Sequence, residues 1–223
     1  ERRPLAIWGR GADEVYVSLD GALLRFDGRG WHLEPTPIPP QVDPAHTDPV
    51  EGERLFGLLA LAGDSQVVYA ADWDHVWRKR ERRWEALPAP REARRAGCLI
   101  GAAAMLGDTV LFLGQRYAGE RRPCLLAHHD GRWTVLDPPD AVLRRNGVYG
   151  GQTQPDGSVL FWRERNGTAA EVLEVAGGRF LRYSFPGLHS IRGAAARGDY
   201  LYLAGSSGER GMVIRVPRRG AVP

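Results

Sequence analysis

Side chains that could do chemistry are few in this 223-residue sequence, and they are scattered. His128 and His129 look like a metal-binding pair, but adjacent residues of a β-strand point to opposite faces and could not hold one ion together. Asp43, His46 and Asp48 lie close together in a proline-rich stretch, which is more typical of a solvated loop than of a metal site. We therefore predict no metal site and no cofactor.

Groupings for nucleophilic catalysis are also missing from the sequence. Cys98 and Cys124 are too few for a disulfide framework, and they flank different predicted strands. No Cys-His or Ser-His-Asp grouping can be recognised, and no phosphate loop or dinucleotide motif is present, since the glycines fall between predicted strands. These features predict a protein that is not an enzyme.

The glycines instead mark an internal repeat. An aliphatic residue, any residue and a glycine recur about every 45 residues, with the glycines at Gly9, Gly57, Gly101, Gly150 and Gly193. Two further β-rich runs follow each of these landmarks, separated by turns that contain Asp or Gly. A last run begins with an aromatic residue in the first four copies, namely Trp31, Trp84, Trp133 and Phe180. The complete unit therefore predicts four short strands.

Five such copies predict an all-β chain that folds as a five-bladed β-propeller of four-stranded antiparallel blades. We expect one domain over residues 1–223, with blades at about 5–37, 55–90, 98–139, 147–186 and 190–220. The leading aromatic residues should pack between blades. The fifth copy lacks its aromatic-led strand, so either the N-terminal "ERRPL" pairs there or the outer position stays empty.

The first copy, "IWGRGADEVYVSLDGALLRFDGRGWHLEP" (7–35), resembles a family of bacterial β-propeller repeats. The shared pattern is Trp-Gly, a spacer, Asp-x-Val-Tyr, a glycine-rich turn, an aromatic residue with Asp-Gly, and then Trp. The third copy keeps "HDGRW" (129–133), whereas the others keep mainly the rhythm of strands. The resemblance implies the propeller fold rather than an activity, because propellers host unrelated functions.

The predicted innermost strands argue against a glycosidase. A glycosidase needs two carboxylates that converge on the central channel, but none of the five landmark strands contains Asp or Glu. Gln152 and Gln154 are the main polar residues expected there, among alanines that suit a narrow channel.

Arginine dominates the charge of the chain, which carries a net charge of +3. Propeller topology brings many of the arginines to loops on one side of the disc. The predicted partner-binding patch consists of Arg94, Arg95, Arg121, Arg122, Arg144 and Arg145. Arginine is favoured at protein interfaces, and an acidic protein would complement this patch. Nucleic acid is not favoured, because aromatic residues do not alternate with the basic loops.

The sequence thus predicts a non-catalytic interaction module, such as a scaffold or regulatory subunit, that binds a protein partner through the inter-blade loops 36–54, 88–98 and 137–147. We expect a monomer or a subunit of a hetero-complex, with no membrane association, located in the cytoplasm rather than secreted. Two alternatives stay open. One is a lectin-like propeller in which sugars stack on aromatic residues between blades, and the other is an enzyme with a loop-borne site.

Overall fold

The computed structural model describes residues 4–19, 22–35, 60–72, 75–88, 98–116, 123–136, 149–163, 169–208 and 210–218. These residues form nineteen β-strands arranged as five antiparallel sheets. Within these ranges there is no helix of the length and hydrophobicity needed to cross a membrane. The structure is a five-bladed β-propeller, as the repeat predicted.

The strands follow chain order within every blade. Blade 1 contains β1 (Pro4–Gly11), β2 (Glu14–Leu19), β3 (Ala22–Phe26) and β4 (Trp31–Leu33). Blade 2 contains β5 (Ala60–Gly63), β6 (Val67–Ala71), β7 (Val76–Arg80) and β8 (Arg83–Leu87). Blade 3 contains β9 (Cys98–Leu106), β10 (Thr109–Arg116), β11 (Pro123–His129) and β12 (Arg132–Leu136). Blade 4 contains β13 (Tyr149–Thr153), β14 (Val159–Arg163), β15 (Ala169–Ala176) and β16 (Arg179–Pro186). Blade 5 contains β17 (Ser190–Arg197), β18 (Tyr200–Ser207) and β19 (Arg210–Pro217).

The N-terminal segment does not complete blade 5. Pro4 and Leu5 belong to β1, which pairs with β2 inside blade 1. Blade 5 has three strands among the described residues, with β19 at its outer edge. The sequence left open whether "ERRPL" pairs as the outer strand of blade 5 or that position stays empty. For Pro4 and Leu5 the first alternative is wrong, because both residues belong to the innermost strand of blade 1.

Apolar clusters join successive blades along four seams. One cluster lies between blades 1 and 2, and the others lie between blades 2 and 3, blades 3 and 4, and blades 4 and 5. Three leading aromatic residues, Trp84, Trp133 and Phe180, pack at these seams, as the sequence predicted. Because the strand residues alternate between faces, each blade buries one set of side chains against each neighbour.

Polar contacts fix the register of the apolar seams. At the seam of blades 1 and 2, buried Lys79 pairs with Glu34 and donates to the Tyr16 hydroxyl at 3.2 Å. Trp84 Nε1 donates to the same Glu34 carboxylate at 3.2 Å. Each of these polar groups has a partner across the seam, so this buried cluster is a structural clamp.

A second clamp closes the seam of blades 4 and 5. Arg218, directly after β19, bonds to the buried Glu174 carboxylate and to Asp156, and its Nη2 donates to Ser158 Oγ at 2.8 Å. The Tyr183 hydroxyl donates to Glu174 at 2.7 Å. The end of blade 5 is thereby fastened to blade 4.

Cys98 and Cys124 form a disulfide with a Cα–Cα distance of 6.1 Å. The sequence analysis found no reason to pair them, because they flank different strands, but both reach the seam of blades 2 and 3. The bond passes over β10 at Gly114, which lies directly opposite Cys124. A Cβ at Gly114 would clash with the Leu99 carbonyl group of the adjacent strand and would lie 3.1 Å from the Cys98 sulfur, so glycine is required where these strands approach closely.

Reduction of this disulfide should destabilise the propeller. A closed loop with a sequence separation of 26 residues is expected to contribute about 3 kcal/mol to the free energy of unfolding, or on the order of 10 °C in Tm. Thermal unfolding with and without dithiothreitol measures this effect. The Cys98→Ala, Cys124→Ala variant serves as the control, and its Tm should not respond to the reductant. An unchanged Tm of the reduced wild type would contradict the expectation.

The Arg218 clamp should make stability depend on acidity. Burial raises the pKa of the Asp156 carboxyl, but hydrogen bonds from Arg218 and Ser158 outweigh burial and lower it to about 2. A depressed carboxyl pKa stabilises the fold above the ordinary value of 3.8, and this contribution is lost as the pH falls towards about 2. Asp156→Asn should therefore have a smaller free energy of unfolding than wild type at neutral pH. Urea unfolding should show that this difference decreases as the pH falls from 3.8 to about 2. A constant difference would contradict the role given to Asp156.

Candidate functional site

All six arginines of the predicted partner-binding patch lie outside the described residues. They are Arg94, Arg95, Arg121, Arg122, Arg144 and Arg145. Asp43, His46 and Asp48 lie outside them as well. The arginine patch therefore stays a prediction, and the site developed below rests on other residues.

The two adjacent histidines point to opposite faces, as the strand geometry predicted. His128 is buried beside Trp133 and Tyr69, with ring centroids 4.7 Å and 6.0 Å away. Burial lowers the pKa of His128 and favours its neutral form. His129 is exposed near Asp108 and Asp130. The described residues contain no group of three or more side chains that could hold a metal ion.

The first strands of the five blades surround a central cavity of about 940 Å³. Its described lining is mainly apolar and includes Trp8 and Trp162. The polar members are Gln115, Gln152, Thr153 and Arg192, and no Asp or Glu is among them.

Gln154 does not line this cavity, contrary to the expectation from the sequence. Its side chain is buried, and its Oε1 accepts a hydrogen bond from the Ala196 backbone at 2.6 Å. It therefore fastens blade 4 to blade 5.

One sheet face of blade 1 packs against no other described blade. Ile7, Val17, Leu24 and Leu33 lie directly opposite one another across all four strands, so their side chains share one face. Ile7 is 71 % exposed and Leu33 is 70 % exposed. The opposite face of this blade packs on blade 2, where Tyr16 and Leu23 are buried. The apolar face is therefore the one that looks away from blade 2.

Trp31 belongs to this exposed face. It lies opposite Phe26, and it is 53 % exposed with its ring centroid 5.3 Å from that of Phe26. The leading aromatic residues of blades 2, 3 and 4 occupy the same position and pack towards the preceding blade. The expectation that the aromatic residue packs between blades is therefore wrong for Trp31, because no cluster of described residues joins blade 5 to blade 1.

Blade 5 presents the other exposed face. Leu201 and Leu203 of β18 are buried against blade 4, so Tyr200 and Tyr202 point the other way and are 38 % and 36 % exposed. On the adjacent strand β19, Val213 is 75 % exposed. The Arg215 guanidinium lies 4.5 Å from the centre of the Tyr200 ring.

These two faces together are named the closing surface, because a closed ring would press them against each other. Six of the seven exposed large hydrophobic residues in the described chain belong to it: Ile7, Trp31, Leu33, Tyr200, Tyr202 and Val213. The sequence analysis missed this surface. Apolar residues at alternate positions of a strand predict a buried face, but they do not show whether a neighbouring blade is present to cover it. The missing aromatic-led strand in the fifth copy was the available signal.

Comparisons with known proteins bear on the fold alone. No family model and no curated protein matches the sequence. Among solved structures, the chain is similar to the extracellular domain of a protein described as a hybrid two-component system, BT4673 from B. thetaiotaomicron, with a TM-score of 0.55 and 11 % identity over 97 % of this chain. It is also similar to TolB from Acinetobacter baumannii, with a TM-score of 0.54 and 11 % identity over 99 % of this chain.

A third similar structure is the Aleuria aurantia lectin, described as a six-bladed β-propeller that recognises fucose, with a TM-score of 0.53 and 14 % identity. The match covers 97 % of this chain and 78 % of the lectin. This chain spans 28 % of the BT4673 domain and 51 % of TolB, so it corresponds to part of each of those proteins. The likenesses show the class of protein, a β-propeller.

Matched tryptophan truncations should reveal that the closing surface is open in solution. Trp133→Ala opens a packed seam and should lower the free energy of unfolding by about 3 kcal/mol. Trp31→Ala removes an exposed ring and should lower it by less than about 1 kcal/mol. Urea unfolding of the two variants measures both values. Equal losses would show that blade 5 packs on Trp31 and that the ring is closed.

Proposed function

We propose that this protein is a non-catalytic β-propeller module that binds a protein partner through the closing surface. The observation that carries this proposal is the apolar face of blade 1, in which Ile7, Leu33 and Trp31 are each more than half exposed. Contiguous exposed apolar patches on soluble proteins mark sites of interaction. A protein is the partner that fits, since the four seams show that each blade face otherwise packs against polypeptide.

The two faces of the closing surface differ in chemistry, which supports a specific partner. The face on blade 1 is aliphatic and aromatic, and the face on blade 5 combines tyrosines with Arg197 and Arg215. Tyrosine and arginine are enriched at the centres of protein interfaces. A partner with an apolar side and an acidic side would complement both faces.

We infer that the protein works in an oxidising compartment, in place of the cytoplasm expected from the sequence. The Cys98–Cys124 disulfide supports this inference, because structural disulfides form and persist in extracellular and periplasmic proteins. Alkylation of free thiols during isolation from the native host tests it. Protein in which both cysteines are alkylated would contradict the inference.

Carbohydrate binding is the second candidate function. The specific observation in its favour is the central cavity, which combines the indole rings of Trp8 and Trp162 with the carboxamide of Gln152. Apolar rings and a few polar groups are what a sugar site requires.

Removal of two exposed apolar side chains on blade 1 should weaken partner binding at least tenfold. Wild type and the Ile7→Ser, Leu33→Ser variant are immobilised, and retained proteins from the native host are identified and purified. The affinity of a purified partner should then fall at least tenfold for the variant, because burial of each side chain contributes about 1.5–3 kcal/mol. The matched control is Arg132→Ser, Thr134→Ser on the fourth strand of blade 3, which should bind like wild type.

Other outcomes assign the function elsewhere. A variant with Ala at all four of Arg94, Arg95, Arg144 and Arg145 tests the loops. If this variant loses the partner and the Ile7→Ser, Leu33→Ser variant does not, binding lies in the loops and the closing-surface proposal fails. If the only saturable ligand is a sugar and Gln152→Ala abolishes its binding, the second candidate is favoured. If sedimentation shows a dimer that forms with increasing concentration and that the Ile7→Ser, Leu33→Ser variant does not form, the occupant is a second copy of the chain and not a different protein.

A further inference from the structure

The outer edge of blade 5 differs from that of every other blade. The third strands of blades 1 to 4 each pair with a fourth strand, whereas β19 pairs with no other described strand on its outer side. This strand is eight residues long, and its side chains are exposed or half-buried throughout. An edge strand with unpaired backbone groups is a template for an added strand.

The described chain continues in line with β19 at Arg218 and does not fold back along this edge. After Pro217, the Arg218 backbone N–H donates to the Asp199 carbonyl at 2.8 Å, and its guanidinium is held by Glu174 on blade 4. In blade 2 the corresponding chain instead makes a two-residue turn at 81–82 and returns as the fourth strand.

Blade 2 shows which side chain belongs beside β19. Tyr69, Arg78 and Glu85 lie directly opposite one another on its second, third and fourth strands. Arg78 Nη2 donates to the Glu85 carboxylate at 2.8 Å. Blade 5 repeats the first two members of this row as Tyr202 and Arg215, on the same side of the blade. The third member of the row would come from a fourth strand.

The neighbouring rows extend this correspondence. Trp84 lies opposite Lys79 and packs towards the preceding blade, and Val216 is the equivalent of Lys79 in blade 5. Leu87 lies at the far end of the same fourth strand, where its equivalent would cover Val213. Val213 is the most exposed large hydrophobic residue among those described.

We propose that blade 5 accepts its fourth strand from a partner, as an extended segment with the pattern aromatic–Glu–any residue–aliphatic paired antiparallel to β19. The aromatic residue lies opposite Val216, the glutamate opposite Arg215 and the aliphatic residue opposite Val213. This inference rests on the proposed function, because it names the element through which a protein partner binds. The aliphatic and acidic side chains of such a strand reach the closing surface, so the strand and that surface form one continuous interface.

A synthetic peptide of residues 83–88, "RWEALP", carries this pattern and provides the probe. Fluorescence polarisation of the labelled peptide against the full chain should show saturable binding. Hydrogen exchange should show new protection in β19. Protection in β7 instead would mean that the peptide replaces the fourth strand of blade 2, and this result would overturn the proposal, as would the absence of saturable binding.

Backbone and side-chain controls separate strand pairing from non-specific adhesion. In the two-residue hairpin of blade 2, the amides of the glutamate and leucine positions face the third strand. N-methylation of these two amides should abolish binding, whereas N-methylation of the tryptophan and alanine amides should preserve it. Equal binding of the two methylated peptides would overturn the proposal.

The Arg215 contact has its own control. Arg215→Gln should weaken binding of the peptide about two- to five-fold and leave the Tm unchanged. In this variant, a peptide with Gln in place of Glu should bind as well as the original. A full Glu preference in the variant would overturn the proposed register. The Ile7→Ser, Leu33→Ser variant should still bind the peptide, because these side chains lie on blade 1 and not on β19. If the peptide does not bind wild type but this variant loses the native partner, the strand proposal fails and the proposed function is still supported.

Discussion

Face-to-face burial of successive blades is the interaction on which this protein depends. A sheet of three or four strands has two faces, and in the described chain nothing but another blade covers them. Stability is therefore shared between neighbours, as in other repeat proteins, and no blade is stable by itself. The same dependence leaves an outer face at each end of the array. The closing surface is the consequence of building a protein from units that need two neighbours.

Polar clamps give these apolar seams their specificity. Apolar burial is not directional, so two sheet faces could slide by a residue pair without losing much area. Lys79 with Glu34, and Arg218 with Glu174, each fix one alignment of neighbouring blades. The Thr153 hydroxyl does the same between blades 3 and 4, where it accepts from the Met105 N–H at 2.9 Å and donates to the Met105 carbonyl at 2.8 Å. A buried charge is costly when its partner is lost, so these pairs penalise any other register.

The narrow centre of the propeller follows from small side chains on the first strands. Ala102, Ala103 and Ala104 of β9 and Gly151 of β13 let neighbouring inner strands approach closely, and a Cβ at Gly151 would lie 2.9 Å from the Ala103 carbonyl oxygen. Strong curvature at the centre brings blade 5 round towards blade 1, so both ends of the array border one cavity. The partner surface that we propose is therefore a gap in a ring, with an aliphatic wall, a tyrosine and arginine wall, and the unpaired edge of β19 beside it.

The sequence by itself determined the repeating unit, the five-bladed fold and the missing aromatic-led run of the fifth copy. Strands and turns are local, so alternating apolar runs and turn residues such as Asp130-Gly131, both at positive φ, specify them directly. The packing of Trp84, Trp133 and Phe180 between blades followed from the same repeat. The tertiary structure decided which contacts cross from one blade to another. It paired Cys98 with Cys124 and placed Gln154 in a seam. It also left Trp31 exposed, although its sequence pattern matches that of the aromatic residues that pack between blades. These outcomes depend on the position of a blade in the array, because a side chain is buried only when a neighbouring blade covers it, and a repeated sequence pattern is the same with or without that neighbour.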